Sequence, residues 1–170
     1  MDAKNGVYVG ASVGQTTLEI DDLDLDVESF DYTADSTSTK FFLGYRFMGF
    51  LAVEGSYIDF GSMSDSTEID GESLSLETDL KGYDVCAMGM LPLGIADIFI
   101  KGGIVSWDAD IRTAFEEIIE YDGESGTDMV YGLGAQVRFK GFAVRGEFEY
   151  FDIADADSVY LISVGASYTF

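Results

Sequence analysis

Apolar and polar side chains alternate residue by residue in eight separate segments of this chain. Alternation with a period of two indicates β-strands whose two faces meet different environments. The segments lie near residues 7–14, 41–47, 51–57, 83–91, 98–104, 129–139, 144–150 and 160–170. Because no linker or change of composition separates them, the sequence predicts a single all-β domain over residues 1–170.

The connections between these segments alternate strictly between short and long. Short connections fall near residues 48–50, 92–97 and 140–142, and long acidic ones near 21–39, 61–73, 108–128 and 152–158. Successive connections of an up-and-down barrel lie at opposite ends, and short turns at one end with long loops at the other are typical of outer-membrane barrels. The sequence therefore predicts an eight-stranded antiparallel up-and-down transmembrane β-barrel with short periplasmic turns and long acidic extracellular loops.

Charged side chains at the strand centres fall in phase on one face of the predicted sheet. They are Arg46, Glu54, Asp84, Lys101, Arg138, Arg145, Glu147 and Glu149, with Gln136 among them. Four are basic and four acidic, and an unpaired buried charge is costly, so we predict a salt-bridge network in the lumen. The opposite face is apolar in every strand, which suits lipid. A soluble sandwich with these charges in water is the alternative, but it leaves the apolar face uncovered.

Aromatic residues fall in two bands along the predicted barrel. Phe47, Phe50, Phe139, Phe142 and Phe170 lie at the short-turn end, whereas Tyr57, Phe60, Tyr83, Trp107, Tyr150 and Phe151 lie towards the long-loop end. Two aromatic bands separated by aliphatic residues match the girdles that mark the two membrane interfaces. We therefore expect both bands to face outward.

Composition narrows the possible functions. The chain has a net charge of −23 and no histidine, so a nucleic-acid partner is not expected, because phosphate contacts need Lys and Arg. Because the chain has no histidine, a Ser-His-acid or Cys-His mechanism is excluded. Cys86 is therefore left without a base. Glu147 and Glu149 share a face, but general acid–base chemistry needs an open cleft around them. We expect no catalytic activity and no cofactor.

Two acidic clusters are weak candidates for holding Ca²⁺ or Mg²⁺. Their members are Asp22, Asp24 and Asp26, which follow Asp21, and Asp152, Asp155 and Asp157. Neither cluster has the glycine and terminal glutamate of an EF-hand loop, so solvated acidic loops are the favoured interpretation. A contact with anionic lipopolysaccharide bridged by divalent cations remains open.

The chain resembles the OmpA-like transmembrane domain family throughout its length. The resemblance is carried by GVYVGASVG at Gly6–Gly14, FLGYRFMGFLAVEGSYIDFG at Phe42–Gly61, GTDMVYGLGAQVRF at Gly126–Phe139 and EYFDIADADSVYLISVGASYTF at Glu149–Phe170. It implies an integral protein of the bacterial outer membrane. It also implies that Glu54 and Arg138 belong to a lumen salt-bridge network, with Arg46, Lys101, Arg145 and Glu147 as further members.

The last residues carry a second implication of this resemblance. Tyr168 and Phe170 are similar to the C-terminal signal that the barrel assembly machinery recognises. The chain ends at Phe170 without the peptidoglycan-binding domain of full-length OmpA, so we do not expect cell-wall tethering from it. The expected partners are outer-membrane lipid, lipopolysaccharide and the assembly machinery, and the expected state is a monomer.

Three functions compete at this point. The first is a non-enzymatic structural or surface-interaction role, with the lumen closed by salt bridges. The second is a minor pore or a channel for small hydrophobic molecules. The third is a soluble ligand-binding barrel. Mutually neutralising lumen charges favour a plug, whereas charges of one sign would have favoured a pore.

Overall fold

A single closed antiparallel barrel accounts for every strand of the computed structural model. The structure describes residues 5–20, 32–69, 72–115, 118–152 and 158–170, with side chains for 5–17, 36–61, 79–108, 125–152 and 159–170. The strands are β1 (Gly6–Ile20), β2 (Tyr32–Phe47), β3 (Leu51–Ile69), β4 (Glu72–Leu93), β5 (Ala96–Phe115), β6 (Ile118–Phe139), β7 (Phe142–Asp152) and β8 (Ser158–Thr169). Each pairs with its sequence neighbours, and β1 pairs with β8. The predicted eight-stranded up-and-down barrel is confirmed. Among the described residues, no helix is long and apolar enough to cross a membrane.

The two faces of the barrel wall have opposite chemistry. Outward side chains are apolar and open, as at Ile100 and Val144, which are 67% and 60% exposed. Inward side chains such as Lys101 and Arg145 are buried. Each strand alternates because successive side chains of a pleated strand point to opposite faces. The predicted inversion, with apolar side chains outside and charged side chains inside, is present at the centres of the strands.

The central four strands are longer than the sequence pattern indicated. Residues 61–73 and 108–128, predicted as long loops, lie mostly in strands, since β3 runs to Ile69 and β6 begins at Ile118. Likewise, β2 begins within the predicted loop of residues 21–39. The prediction was wrong there because a strand outside the membrane has no lipid-facing side, so its residues show no apolar alternation.

These longer strands form a sheet beyond the closed part of the barrel. Among the described residues, the last β2–β3 partners are Thr39 and Asp59, and the last β6–β7 partners are Met129 and Asp152. Strands β3 to β6 continue to pair with one another past these points. We call this extension the projecting sheet; it comprises residues 62–69, 72–79, 109–115 and 118–128.

At the end of the barrel opposite the projecting sheet, consecutive strands are joined by tight turns. Lys140 and Gly141 both have positive φ values, 46° and 87°, as a type I′ hairpin requires. Between β4 and β5, Gly94 has a φ of 83°, and Ile95 completes a two-residue loop between the partners Leu93 and Ala96. The short turns are therefore confirmed at this end.

Replacing Gly94 with alanine isolates the conformational requirement of one such turn. A Cβ atom at Gly94 would have nothing within 4 Å, yet φ is +83°. We expect Gly94→Ala to lower the free energy of unfolding by about 1–2 kcal/mol, the typical cost of a left-handed conformation for an L-residue. Gly146→Ala is the matched control, because its Cβ is equally unobstructed and no positive φ applies. Urea unfolding in detergent measures both; equal stabilities of the two variants would contradict the prediction.

The aromatic bands agree only in part with the prediction. Phe50, Phe139, Phe142 and Phe170 are exposed at the turn end. At the other end Tyr83 faces outward, whereas Phe60, Trp107 and Phe151 are buried inside the barrel. Placing those three in the outer girdle was wrong. Tyr150 and Phe151 are neighbours in one strand, so they must face opposite sides.

Candidate functional site in the barrel lumen

Large inward side chains lie opposite glycines on neighbouring strands. Because glycine has no Cβ, the ring or chain of its partner can lie flat across the neighbouring strand. The strand partners are Tyr8 with Gly44, Phe42 with Gly10, Phe99 with Gly134, Lys101 with Gly132 and Trp107 with Gly126. This pairing allows a narrow barrel to hold bulky and charged side chains.

The ion pairs nearest the turns converge on one carboxylate. Asp97 is fully buried, and its Oδ2 lies 2.7 Å from Nε of Arg138 and 3.4 Å from Nη1 of Arg46. Gln136 donates a further hydrogen bond from Nε2 to Oδ2, at 2.7 Å. Two guanidinium groups therefore neutralise this carboxylate, and one amide donates a hydrogen bond that helps to hold it.

The middle of the lumen is organised by Arg145. Its Nη1 lies 2.7 Å from Oε2 of Glu54, and its Nη2 lies 2.9 Å from Oε2 of Glu147. The guanidinium carbon lies 4.4 Å from the ring centroid of Phe42 and 4.9 Å from that of Phe99. Two carboxylates and two aromatic rings therefore surround this guanidinium group, which both ion pairs and cation–π contacts stabilise.

Two lysines hold the carboxylates further up the lumen. Nζ of Lys40 lies 2.7 Å from Oε1 of Glu149 and 3.3 Å from Oε1 of Glu147. Lys101 forms ion pairs with the same two carboxylates. Asp84 is held more loosely, since its Oδ2 lies 4.0 Å from Nζ of Lys40.

All eight charged residues predicted for the lumen take part in these ion pairs, and sequence reasoning missed two more. Lys40 lies between the predicted loop of residues 21–39 and the predicted strand of residues 41–47, and Asp97 was assigned to a short turn. Both could have been found by extending the alternation by one step. Lys40 is in phase with Phe42, and Asp97 is in phase with Phe99. We call the ten ion-paired side chains the ionic network.

The ionic network is neutral. Its described ion pairs join five cationic and five anionic side chains. The net charge of −23 is therefore carried entirely by residues outside the network. The carboxylates of Glu147 and Glu149 are buried and ion-paired with Lys40 and Lys101, so they do not line an open cleft of the kind that acid–base chemistry needs.

A second, apolar compartment occupies the lumen on the side of the projecting sheet. We call it the apolar cluster. Its buried members are Ile58, Phe60, Cys86, Val105, Trp107, Val130, Phe151, Val159 and Leu161, with Leu80 packed against them. The indole Nε1 of Trp107 donates a hydrogen bond to Oδ2 of Asp128, at 2.7 Å. The sequence pattern predicted a polar lumen throughout, and this apolar compartment was not predicted.

The remaining predicted residues lie apart from the lumen. Asp152 is exposed at the end of β7, whereas the other five candidate metal ligands lie outside the described residues. They are Asp22, Asp24, Asp26, Asp155 and Asp157. At the opposite end, the Phe170 ring contacts that of Tyr168 at 5.2 Å between centroids, and Phe170 is largely exposed.

Comparison with known proteins agrees with this architecture. The sequence profile of the outer membrane protein beta-barrel domain matches residues 1–170. None of the curated proteins compared with the chain matches it in sequence.

Solved structures share the fold at low sequence identity. Neisserial surface protein A superposes with a TM-score of 0.69 at 12% identity, covering 97% of each chain. Ail of Yersinia pestis, in complex with the heparin analogue sucrose octasulfate, gives 0.62 at 18% identity over 97% of this chain and 99% of that one. OprG of Pseudomonas aeruginosa gives 0.60 at 13% identity, covering 97% of each chain.

Proposed function

Because this chain belongs to the outer membrane protein β-barrel domain family, we propose that it has a structural and surface-interaction role, without enzymatic activity and with a closed lumen. It is an integral protein of the bacterial outer membrane, and its resemblance to the OmpA-like family is confirmed. The role itself is inferred from features of the projecting sheet and the lumen.

The projecting sheet is the observation that carries the surface-interaction proposal. Among the described residues, β3 pairs only with β4 after Asp59, and β6 pairs only with β5 before Met129. Each of these two strands therefore has a partner on one side only. An open strand edge presents unpaired N–H and C=O groups, and a second chain can add a strand there. Long strands that continue past the barrel wall expose such edges on the outside of the cell.

The charge distribution indicates what kind of partner would fit. Because the ionic network is neutral, the excess of Asp and Glu lies on the rest of the molecule. Such a surface attracts basic partners and repels polyanions. We therefore propose a protein partner with a basic surface.

The closed lumen separates this role from a pore. Oppositely charged side chains meet across the middle of the barrel, as Lys40 from β2 and Glu149 from β7 do. An eight-stranded barrel has an interior just wide enough for side chains to fill. A minor pore or small-molecule channel is the alternative, and conductance recordings distinguish the two.

Two further partners and an oligomeric state belong to the proposal. Phe170 and Tyr168 serve as the recognition signal for the barrel assembly machinery. Lipopolysaccharide contacts the outer wall, whose Tyr83 side chain is 59% exposed. The protein acts as a monomer, because barrel closure leaves no strand edge within the membrane.

Photo-crosslinking in the native membrane tests the surface role. The photoreactive residue p-benzoylphenylalanine replaces Tyr121, which lies in the β6 edge of the projecting sheet. We expect a discrete protein adduct on intact cells, with a yield that falls at high salt. The matched control is the same replacement at Tyr83 on the lipid-facing wall, where no protein adduct is expected. Failure of the Tyr121 variant to form any protein adduct would contradict the surface role.

The acidity of this chain predicts a difference from one structural neighbour. Ail was solved with the heparin analogue sucrose octasulfate. With a net charge of −23, this chain should repel sulfated polyanions. We expect no retention on immobilised heparin at physiological ionic strength, and retention of the folded barrel in detergent would count against a basic partner.

A further inference from the structure

The apolar cluster crosses the full width of the lumen. Phe60 comes from β3 and Phe151 from β7, which are opposite each other in the eight-stranded wall. Their ring centroids are 5.2 Å apart in an edge-to-face arrangement, and both residues are 0% exposed. Two rings that meet from opposite walls close the centre of the bore at this level.

Other walls complete the closure at the same end. Val105, Val130 and Val159 come from β5, β6 and β8, and each is at most 1% exposed. On the side of β1 and β2, the hydroxyls of Thr16 and Ser38 hydrogen-bond to each other. Ser38 also donates a hydrogen bond from Oγ to the backbone carbonyl oxygen of Phe60, at 3.4 Å, so these hydroxyls have partners within the wall.

The two compartments oppose water and ions by different means. The ionic network is polar, and water that reaches it can solvate charged groups. Apolar constrictions block conduction by dewetting, because they offer water and ions no hydrogen-bonding partner. The apolar cluster is therefore the higher barrier of the two.

We infer that the apolar cluster, and not the ionic network, is the seal that keeps water and ions from passing through this barrel from the outside. The inference rests on the proposed closed lumen and assigns that closure to specific residues. The ionic network then serves to hold the walls in register and to stabilise the fold.

The chain carries a built-in probe of this seal. Cys86 is its single cysteine, is buried within the apolar cluster, and lies directly across from Glu54 of the ionic network in the strand register. A charged, water-soluble methanethiosulfonate reagent reaches the Cys86 thiol only when water reaches it. Labelling from the outside therefore reports whether water reaches the level of Cys86, and a variant of the ionic network separates the two compartments.

The experiment compares two ways of opening the seal with one change to the ionic network. Phe60→Ala/Phe151→Ala removes the crossing rings, and Val105→Thr/Val130→Thr/Val159→Thr adds hydroxyls at constant shape, in case the first variant fails to fold. Lys40→Met/Glu149→Gln neutralises an ion pair without adding charge. Heat-modifiable gel mobility shows which proteins are folded.

We expect wild type and Lys40→Met/Glu149→Gln to label slowly in vesicles and to show no conductance steps in planar bilayers. A folded seal variant should label at Cys86 at least tenfold faster than the wild-type protein. Unchanged labelling in the folded seal variants, or equally fast labelling in the ionic variant, would overturn the seal. Conductance steps from the wild-type protein would instead overturn the proposed closed lumen, so the two failures are distinguishable.

Discussion

Replacing Arg145 with methionine is expected to lower the free energy of unfolding by about 3–5 kcal/mol, the usual cost of removing one member of a buried ion pair. Arg145 is 2% exposed and bridges Glu54 and Glu147. Methionine fills much of the space beside the rings of Phe42 and Phe99. It leaves Glu54, however, in the lumen without its closest cation. Urea titration of the folded barrel in detergent, followed by tryptophan fluorescence, measures the change.

Two companion variants make this result specific. Lys81→Met removes an exposed cation from the outer wall and should change stability by at most about 1 kcal/mol. Adding Glu54→Gln to Arg145→Met removes the uncompensated charge, so the double variant should be more stable than the sum of its single changes predicts. Strict additivity would show that Arg145 and Glu54 are not energetically coupled.

The second large effect is expected at Gly103, where strands β4 and β5 come close together. A Cβ atom at this position would overlap the carbonyl oxygen of Val85 and lie 2.7 Å from Cα of Cys86. Both obstacles are backbone, so neither can move without breaking the ladder between the two strands. We expect Gly103→Ala to cost about 3 kcal/mol or more, at the upper end of the range for overpacking.

The neighbouring glycine provides a matched control for that substitution. Gly102 faces outward, and its Cβ would meet only the ring of Tyr131, at 3.9 Å. Gly102→Ala should therefore be neutral or slightly stabilising, because alanine narrows the unfolded ensemble. Comparable losses of folded protein in the two variants, on a heat-modifiability gel, would show that the close approach at Gly103 is not what constrains this position.

The strands within the membrane were predictable because lipid and lumen impose opposite chemistry on alternate residues. That constraint ends at the membrane surface, and there the prediction also failed. Ser62–Ile69 of β3 pairs with β4 as regular strand, yet its residues show no apolar alternation. Pairing between strands in water leaves only a weak pattern in composition.

Most of the ionic network in the lumen was predicted from the sequence, whereas the apolar cluster was not. Charges within strands stand out because they violate the expected apolar pattern. Phe60 and Phe151 do not stand out, since an inward aromatic residue and an outward one look alike in composition. Only strict counting from Glu54 and Glu149 would have placed them on the inner face. Their meeting across the bore depends on which walls stand opposite, and that relation appears only in three dimensions.

The unequal lengths of the strands have a consequence for the bilayer. β7 and β8 have 11 and 12 residues, whereas β4 and β6 each have 22. A tilted strand needs about 9–11 residues to traverse the hydrocarbon core, so the short pair has almost no height to spare. Hydrophobic mismatch in a thick bilayer would therefore be concentrated on that flank, where lipid chains must compress. The short strands β7 and β8 therefore suit this barrel to a thin membrane.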